Sequence, residues 1–136
     1  MKVFLDTNIV IDFLGQREGF YQNAAKVLSF LQQEKYKIIC SSLTFSTAYY
    51  ICKRGRTHQE TINLLSCFAK LCSISVVDQK IIKSALDSNF KDFEDSIQYF
   101  SAKNAKADVI ISRDKKGFEN SKILVKTPDE VLQLNN

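Results

Sequence analysis

Apolar positions fall into two rhythms that alternate from one end of the chain to the other. Val3, Phe4 and Leu5 form an unbroken apolar run that stops at Asp6. Such a run reads as a strand covered on both faces, and an Asp at its end reads as the N-cap of a following helix. Residues 7–14 continue as a short apolar helix ending near Gly15. From Gly19 to about Glu34, Phe20, Ala24, Val27, Leu28 and Leu31 recur at helical spacing and predict an amphipathic helix. Tyr36–Cys40 predicts a second strand, and Ser41 and Ser42 offer N-caps for a mostly apolar helix from Leu43 to Arg54. Thr57 and Glu60 have capping-box spacing at the head of a helix that runs to Leu71. Ser73–Val77 predicts a third strand, and Asp78 caps a helix to about Ser88. Asp92–Lys106 is the next helix, with Phe93, Ile97 and Phe100 as its apolar stripe. Val109–Ser112 and Ile123–Val125 are the fourth and fifth strands, and Thr127-Pro128-Asp129-Glu130 opens a last helix with Pro in its first turn.

Short, β-branched strands alternating with helices predict an α/β fold in three layers. A central parallel sheet of four to five strands carries helices on both faces, as one domain over residues 1–136. With 136 residues, 45% of them hydrophobic and 25% charged, the chain can bury a core without disulfides or zinc. A net charge of +4 and a pI near 8.9 permit a nucleic-acid partner without demanding one. The cysteines at 40, 52, 67 and 72 contain no C-x-x-C, and His58 is the sole histidine, which argues against a zinc module. Each cysteine lies in an apolar stretch and reads as a reduced core residue, which fits the cytoplasm. No apolar run is long enough for a membrane span or a signal peptide.

Sites in open parallel sheets form beyond the carboxyl ends of the strands. Asp6 stands there after the first strand, Asp78 after the third, and Ser112, Arg113 and Asp114 after the fourth, while Asp92, Glu94 and Asp95 open the helix before the fourth strand. Each has a plain structural explanation: Asp6 and Asp78 as caps, the 92–95 group as acids favoured by the helix dipole, Asp114 as a turn residue. Together they are harder to dismiss. Acids converging on one sheet edge repel one another unless a cation neutralises them, and carboxylates suit a hard divalent ion.

Several of these segments resemble the PIN domain family. Lys2 to Val10 resembles its opening strand leading into Asp-Thr-Asn. Ser42-Leu43-Thr44 resembles the segment after its second strand, Asp95-Ser96-Ile97 the start of its penultimate long helix, Ala107 to Asp114 its Ala-Asp-x-Ile-Ile-Thr-x-Asp/Asn block, and Lys126 to Glu130 its common end. The match runs in order along nearly the whole chain and looks most like the VapC-like toxins and their bacterial relatives. The resemblance implies an endoribonuclease dependent on Mg²⁺ or Mn²⁺, with Asp6, Asp95 and Asp114 as metal-binding catalytic acids. It places Asn8 and Ser112 around them, while Glu94 and Asp92 are candidates to join on their position in the neighbouring helix turn alone. It also implies a homodimer and an antitoxin protein that blocks the acidic pocket. Arg113, Lys115 and Lys116 flank the acids and suit RNA phosphates; Lys53, Arg54 and Arg56, and Lys103 and Lys106, form two further basic groups. Tyr49, Tyr50 and Tyr99 are candidates for base stacking or for helix packing.

The chain departs from the family pattern twice. Thr47 stands where many such nucleases carry a Glu, and Leu43–Ile51 contains no acid at all; Gly117 stands where an Asp often precedes the Phe. The competing expectation is therefore a catalytically impaired PIN domain that binds RNA or protein. Other readings fit less well. A receiver domain needs adjacent acids after the first strand, a haloacid-dehalogenase-type phosphatase needs Asp-x-Asp where this chain has Asp6-Thr7-Asn8, and no glycine-rich phosphate loop is present.

Overall fold

The computed structural model describes residues 1–133. Five strands, β1 (Lys2–Leu5), β2 (Lys37–Ser41), β3 (Ser73–Ser75), β4 (Val109–Ile111) and β5 (Leu124–Lys126), pair in parallel in the order β3-β2-β1-β4-β5. Phe4 lies level with Ile39 on one side and Ile110 on the other. Among the described residues seven α-helices flank the sheet: α1 (Thr7–Leu14), α2 (Tyr21–Gln33), α3 (Ser42–Cys52), α4 (His58–Ala69), α5 (Gln79–Leu86), α6 (Phe93–Asn104) and α7 (Pro128–Gln133).

Strand side chains alternate between two cores, which is why the strands read as continuous apolar runs. Val3, Leu5, Ile38, Cys40, Val109 and Ile111 point into a cluster shared with Ile9, Val10, Val27, Leu31 and Phe68. Phe4, Ile39 and Ile110 point the other way, against Tyr99 and Ala102 of α6. The third layer is completed by α5, whose Ile81 and Ala85 pack on Ile97 of α6.

The caps expected at Asp6, Ser41, Thr57 and Asp78 all form, and Thr57 and Glu60 make a full capping box; Asp92, expected inside its helix, caps it instead. Three other expectations need correction. The third strand stops at Ser75, because the Val76 carbonyl accepts a hydrogen bond from the Ser101 hydroxyl instead of a strand neighbour. Phe20 lies outside α2, 44% exposed, with the Arg113 guanidinium 3.9 Å from its ring centre. Cys67 is exposed on α4 rather than a core residue; Cys40 and Cys52 are buried and all four thiols are free. Among the described residues no helix is long and apolar enough to cross a membrane.

Strand order reverses between β1 and β4: the chain builds outward from β1 through β2 to β3, then returns beside β1. The crevice beyond the carboxyl ends of β1 and β4 is thus the switch point at which open α/β sheets bind ligands. Asp6 follows β1 there, and Ser112 follows β4.

Candidate metal centre

Asp6 sits at the bottom of this crevice, 3% exposed. Its backbone N–H continues the sheet by donating to the Ile111 carbonyl at 2.9 Å. Its carboxylate accepts from four donors: the Thr7 N–H at 2.8 Å, the Ser112 hydroxyl at 2.7 Å, and the amides of Asn8 and Gln98, both at 3.4 Å. Burial still pushes the carboxyl above its usual range, helped by the charge of Asp114 and only partly offset by these hydrogen bonds. A buried carboxylate this well oriented has its lone pairs fixed in direction before any ligand arrives.

Helix α6 brings two more carboxylates over Asp6. Asp92 caps the helix by accepting from the Asp95 N–H at 2.9 Å, which fixes the first turn and aims Glu94 and Asp95 inward. One carboxylate oxygen each from Asp6, Glu94 and Asp95 lies within 4.8 Å of the others. Burial, followed by the charges of Asp6, Asp92, Glu94 and Asp114, raises Asp95 to about 7. Glu94 is raised by burial first and then by Asp6 and Asp92. The Asp95 carboxylate accepts no hydrogen bond from any described residue. It lies over Gly117, where a Cβ would stand 2.1 Å from its Oδ2. The absence of a side chain at 117 is therefore what gives Asp95 its room.

Asp114 stands beside this trio rather than inside it. It caps the short 3-10 turn Lys115–Phe118 by accepting from the Gly117 N–H at 3.2 Å, and its charge reaches both Asp6 and Asp95. Asn8 links the elements: its amide also donates to Ser112 at 3.3 Å, and its oxygen accepts from the Arg113 N–H at 3.3 Å. Ser112 in turn accepts from the Asp114 N–H at 3.0 Å.

The donor set fits a hard divalent cation. All donors are carboxylate oxygens, and their spacing approaches the roughly 4–5 Å that separates opposite oxygens around Mg²⁺, Mn²⁺ or Ca²⁺. Three like charges at this spacing also have no cationic side chain among them. The nearby cations are engaged elsewhere: Arg113 with the buried Asp12, to which its Nη2 donates at 3.2 Å, and Lys115 with Glu130 at 3.2 Å. Of the basic residues expected beside the acids, only Lys116 is exposed without an ion pair among the described residues.

Sequence reasoning missed Gln98. A glutamine in mid-helix reads as a surface residue, yet this one is fully buried. It lies one turn beyond Asp95, on the same face of α6. Its amide nitrogen donates to the hydroxyls of Thr7 at 2.9 Å and Thr44 at 3.0 Å as well as to Asp6, and its oxygen accepts from Ser41. One side chain thus ties α1, β2, α3 and α6 together beneath the acids. Gln98→Leu leaves three hydroxyls and a carboxylate short of partners and is expected to cost about 1–3 kcal/mol. Urea unfolding midpoints measure this; an unchanged midpoint would mean the network repairs itself without the amide.

A family model described as PIN domain matches residues 2–116. Ribonuclease VapC1 of Aquifex aeolicus is 31% identical over 137 residues, covering 95% of this chain and 92% of that protein. The fold is similar to that of VapBC-1 from nontypeable Haemophilus influenzae, with a TM-score of 0.70, 14% identity, and 95% and 99% of the two chains covered. It is likewise similar to a toxin–antitoxin complex from Klebsiella pneumoniae, with a TM-score of 0.69, 24% identity and coverage of 93% and 97%.

Proposed function

Because this chain belongs to the PIN domain family, we propose that it is a divalent-metal-dependent endoribonuclease acting as the toxin of a toxin–antitoxin pair. The observation that carries the proposal is the trio of carboxylates from Asp6, Glu94 and Asp95 within 4.8 Å at the switch point. In this reading Asp6, Glu94 and Asp95 hold Mg²⁺ or Mn²⁺, with Asp114 close enough to join them through water. When bound, such an ion lowers the pKa of a bound water and neutralises charge on a phosphodiester. The protein's own groups do the positioning. Ser112, Asn8 and Gln98 hold the Asp6 carboxylate by donating to it, and Asp92 holds the first turn of α6 in place. The relatives' names, a ribonuclease and a toxin–antitoxin complex, support RNA as substrate and an antitoxin as partner; single-stranded substrate, a homodimer and a cytoplasmic location are further parts of the same proposal.

The test is cleavage of a panel of single-stranded RNAs with Mn²⁺. The wild type cleaves and Asp6→Asn does not; equal cleavage by both would point to a contaminant and remove the enzymatic reading.

The second reading, an impaired PIN domain that binds RNA or protein, draws on α3. Thr44 stands in the network below the acids, and Thr47 follows one turn along the same face, but its hydroxyl only donates back to the Leu43 carbonyl at 3.3 Å. No carboxylate comes from this helix. Glu94 supplies the third carboxylate from α6 instead. Accordingly, Thr47→Glu is expected to tighten Mn²⁺ binding about tenfold, within the range that single groups around a metal contribute. Glu94→Gln is expected to weaken it by a similar factor. Calorimetry reads both, and an unchanged affinity in Glu94→Gln would remove Glu94 from the site.

A further inference from the structure

Among the clefts outside the acids, two differ in charge. One, of about 340 Å³, is lined by Asp12, Phe20, Asn23, Arg113 and Asp129, so its single cation is outnumbered by carboxylates. The other, of about 430 Å³, lies between α5 and α6; Lys80, Lys103 and Lys106 line it together with Ser84 and Asn104, and no acid does. Lys83 borders an adjoining hollow, which Asp87 also lines. Lys80, Lys83, Lys103 and Lys106 form no ion pair among the described residues, whereas Lys91 and Lys115 are paired with Glu119 and Glu130.

The arrangement follows from the topology. Helices α5 and α6 form a hairpin. Its closed end carries Asp87, Asp92, Glu94 and Asp95 with Lys91, and its open end carries Lys80, Lys103 and Lys106 with the helix cap Asp78. Lysines in the last turn of a helix favour its dipole, which accounts for Lys103. It does not account for Lys80 in the first turn of α5, where a cation is unfavourable, nor for a shared concavity. At 1.5 Å per residue, Lys103 lies roughly 12 Å along α6 from Asp95.

We propose that the lysine-lined cleft between α5 and α6 is a phosphate-binding subsite for single-stranded RNA whose scissile bond lies at the acids. The proposal rests on the reading of RNA as substrate. Charge complementarity selects a polyanion, and the neutral donors Ser84 and Asn104 suit phosphate oxygens. The cleft contacts the backbone only, so it adds affinity without sequence preference.

The test is fluorescence anisotropy of a labelled single-stranded RNA with the full chain in EDTA, titrated with NaCl. One triple variant, Lys80→Gln/Lys103→Gln/Lys106→Gln, removes the cleft's cations. A second, Lys26→Gln/Lys35→Gln/Lys70→Gln, removes the same net charge from exposed positions elsewhere. The cleft variant is expected to lose about tenfold in affinity and about 2 from the slope of log affinity against log salt, at about 0.7 per phosphate contact. The second variant should keep the slope of the wild type. Equal slopes in all three proteins, or equal losses in both variants, would overturn the proposal. So would competition for the cleft by polyglutamate with RNA binding untouched, which would mark a protein-docking surface. Metal binding and Mn²⁺-dependent cleavage are read separately, so loss of the nuclease reading and loss of the cleft give different patterns.

Discussion

Asp6→Asn is expected to reduce Mn²⁺-dependent RNA cleavage by about a thousandfold while leaving the protein folded. An ion that neutralises phosphate charge and activates water contributes several kcal/mol to the barrier, and each ~1.4 kcal/mol is a factor of ten. Asp6 is the carboxylate that every other part of the site addresses: β1 ends on it, Ser112 and Asn8 donate to it, Gln98 supports it from α6, and Glu94 and Asp95 close over it. The amide of Asn keeps the shape but not the charge, and it places an N–H2 where the site expects an acceptor. Initial rates on a single RNA, with circular dichroism to confirm folding, measure this. A residual rate within tenfold of the wild type would show that Asp6 does not carry the metal.

The second large effect is on stability, and its sign depends on the metal. Asp95 titrates near 7 in the fold, against an ordinary value of 3.8, because it is half-buried among Asp6, Asp92, Glu94 and Asp114. The folded state therefore binds more protons than the unfolded chain between those values. Without metal, the contribution of Asp95 is lost as pH rises from about 4 to about 7 and is flat above that. Glu94 and Asp6 are raised as well and act in the same direction. Metal-free protein is thus expected to melt lower at pH 7.5 than at pH 5, and Asp95→Asn to melt higher than the wild type at pH 7.5. A divalent ion reverses the order. At a hundred times its dissociation constant it adds about 2.7 kcal/mol, or roughly 10 °C, to the wild type and much less to Asp95→Asn. Thermal melts with EDTA and with Mn²⁺ at both pH values measure all four states. A wild type insensitive to both pH and metal would contradict the electrostatic account.

The sheet and most helices were legible because their signals are local. Apolar runs mark the strands, and side-chain caps at Asp6, Ser41, Thr57 and Asp78 mark where helices begin. The end of the third strand was not legible, since it depends on the Ser101 hydroxyl reaching Val76 from another element. The acids divide in the same way. Asp6 and Asp95 could be found from their places at a strand end and a first helical turn. That Glu94 rather than Asp114 completes the tight trio depends on the angle at which α6 meets β1. Gln98 carried no local signal, because its burial is decided by Ser41, Thr7 and Thr44 converging on it from elements far apart in the chain. Arg113 is similar: in sequence it is a cation beside Asp114, while the fold turns it onto Asp12 and Phe20.

Calorimetric titration of the full chain with Mn²⁺ at pH 7.5 asks whether Asp6, Glu94 and Asp95 form a divalent-cation site. Saturable binding by the wild type, weakened at least tenfold in Asp95→Asn, is the predicted result. No binding heat from the wild type, or equal affinity in both proteins, would contradict it.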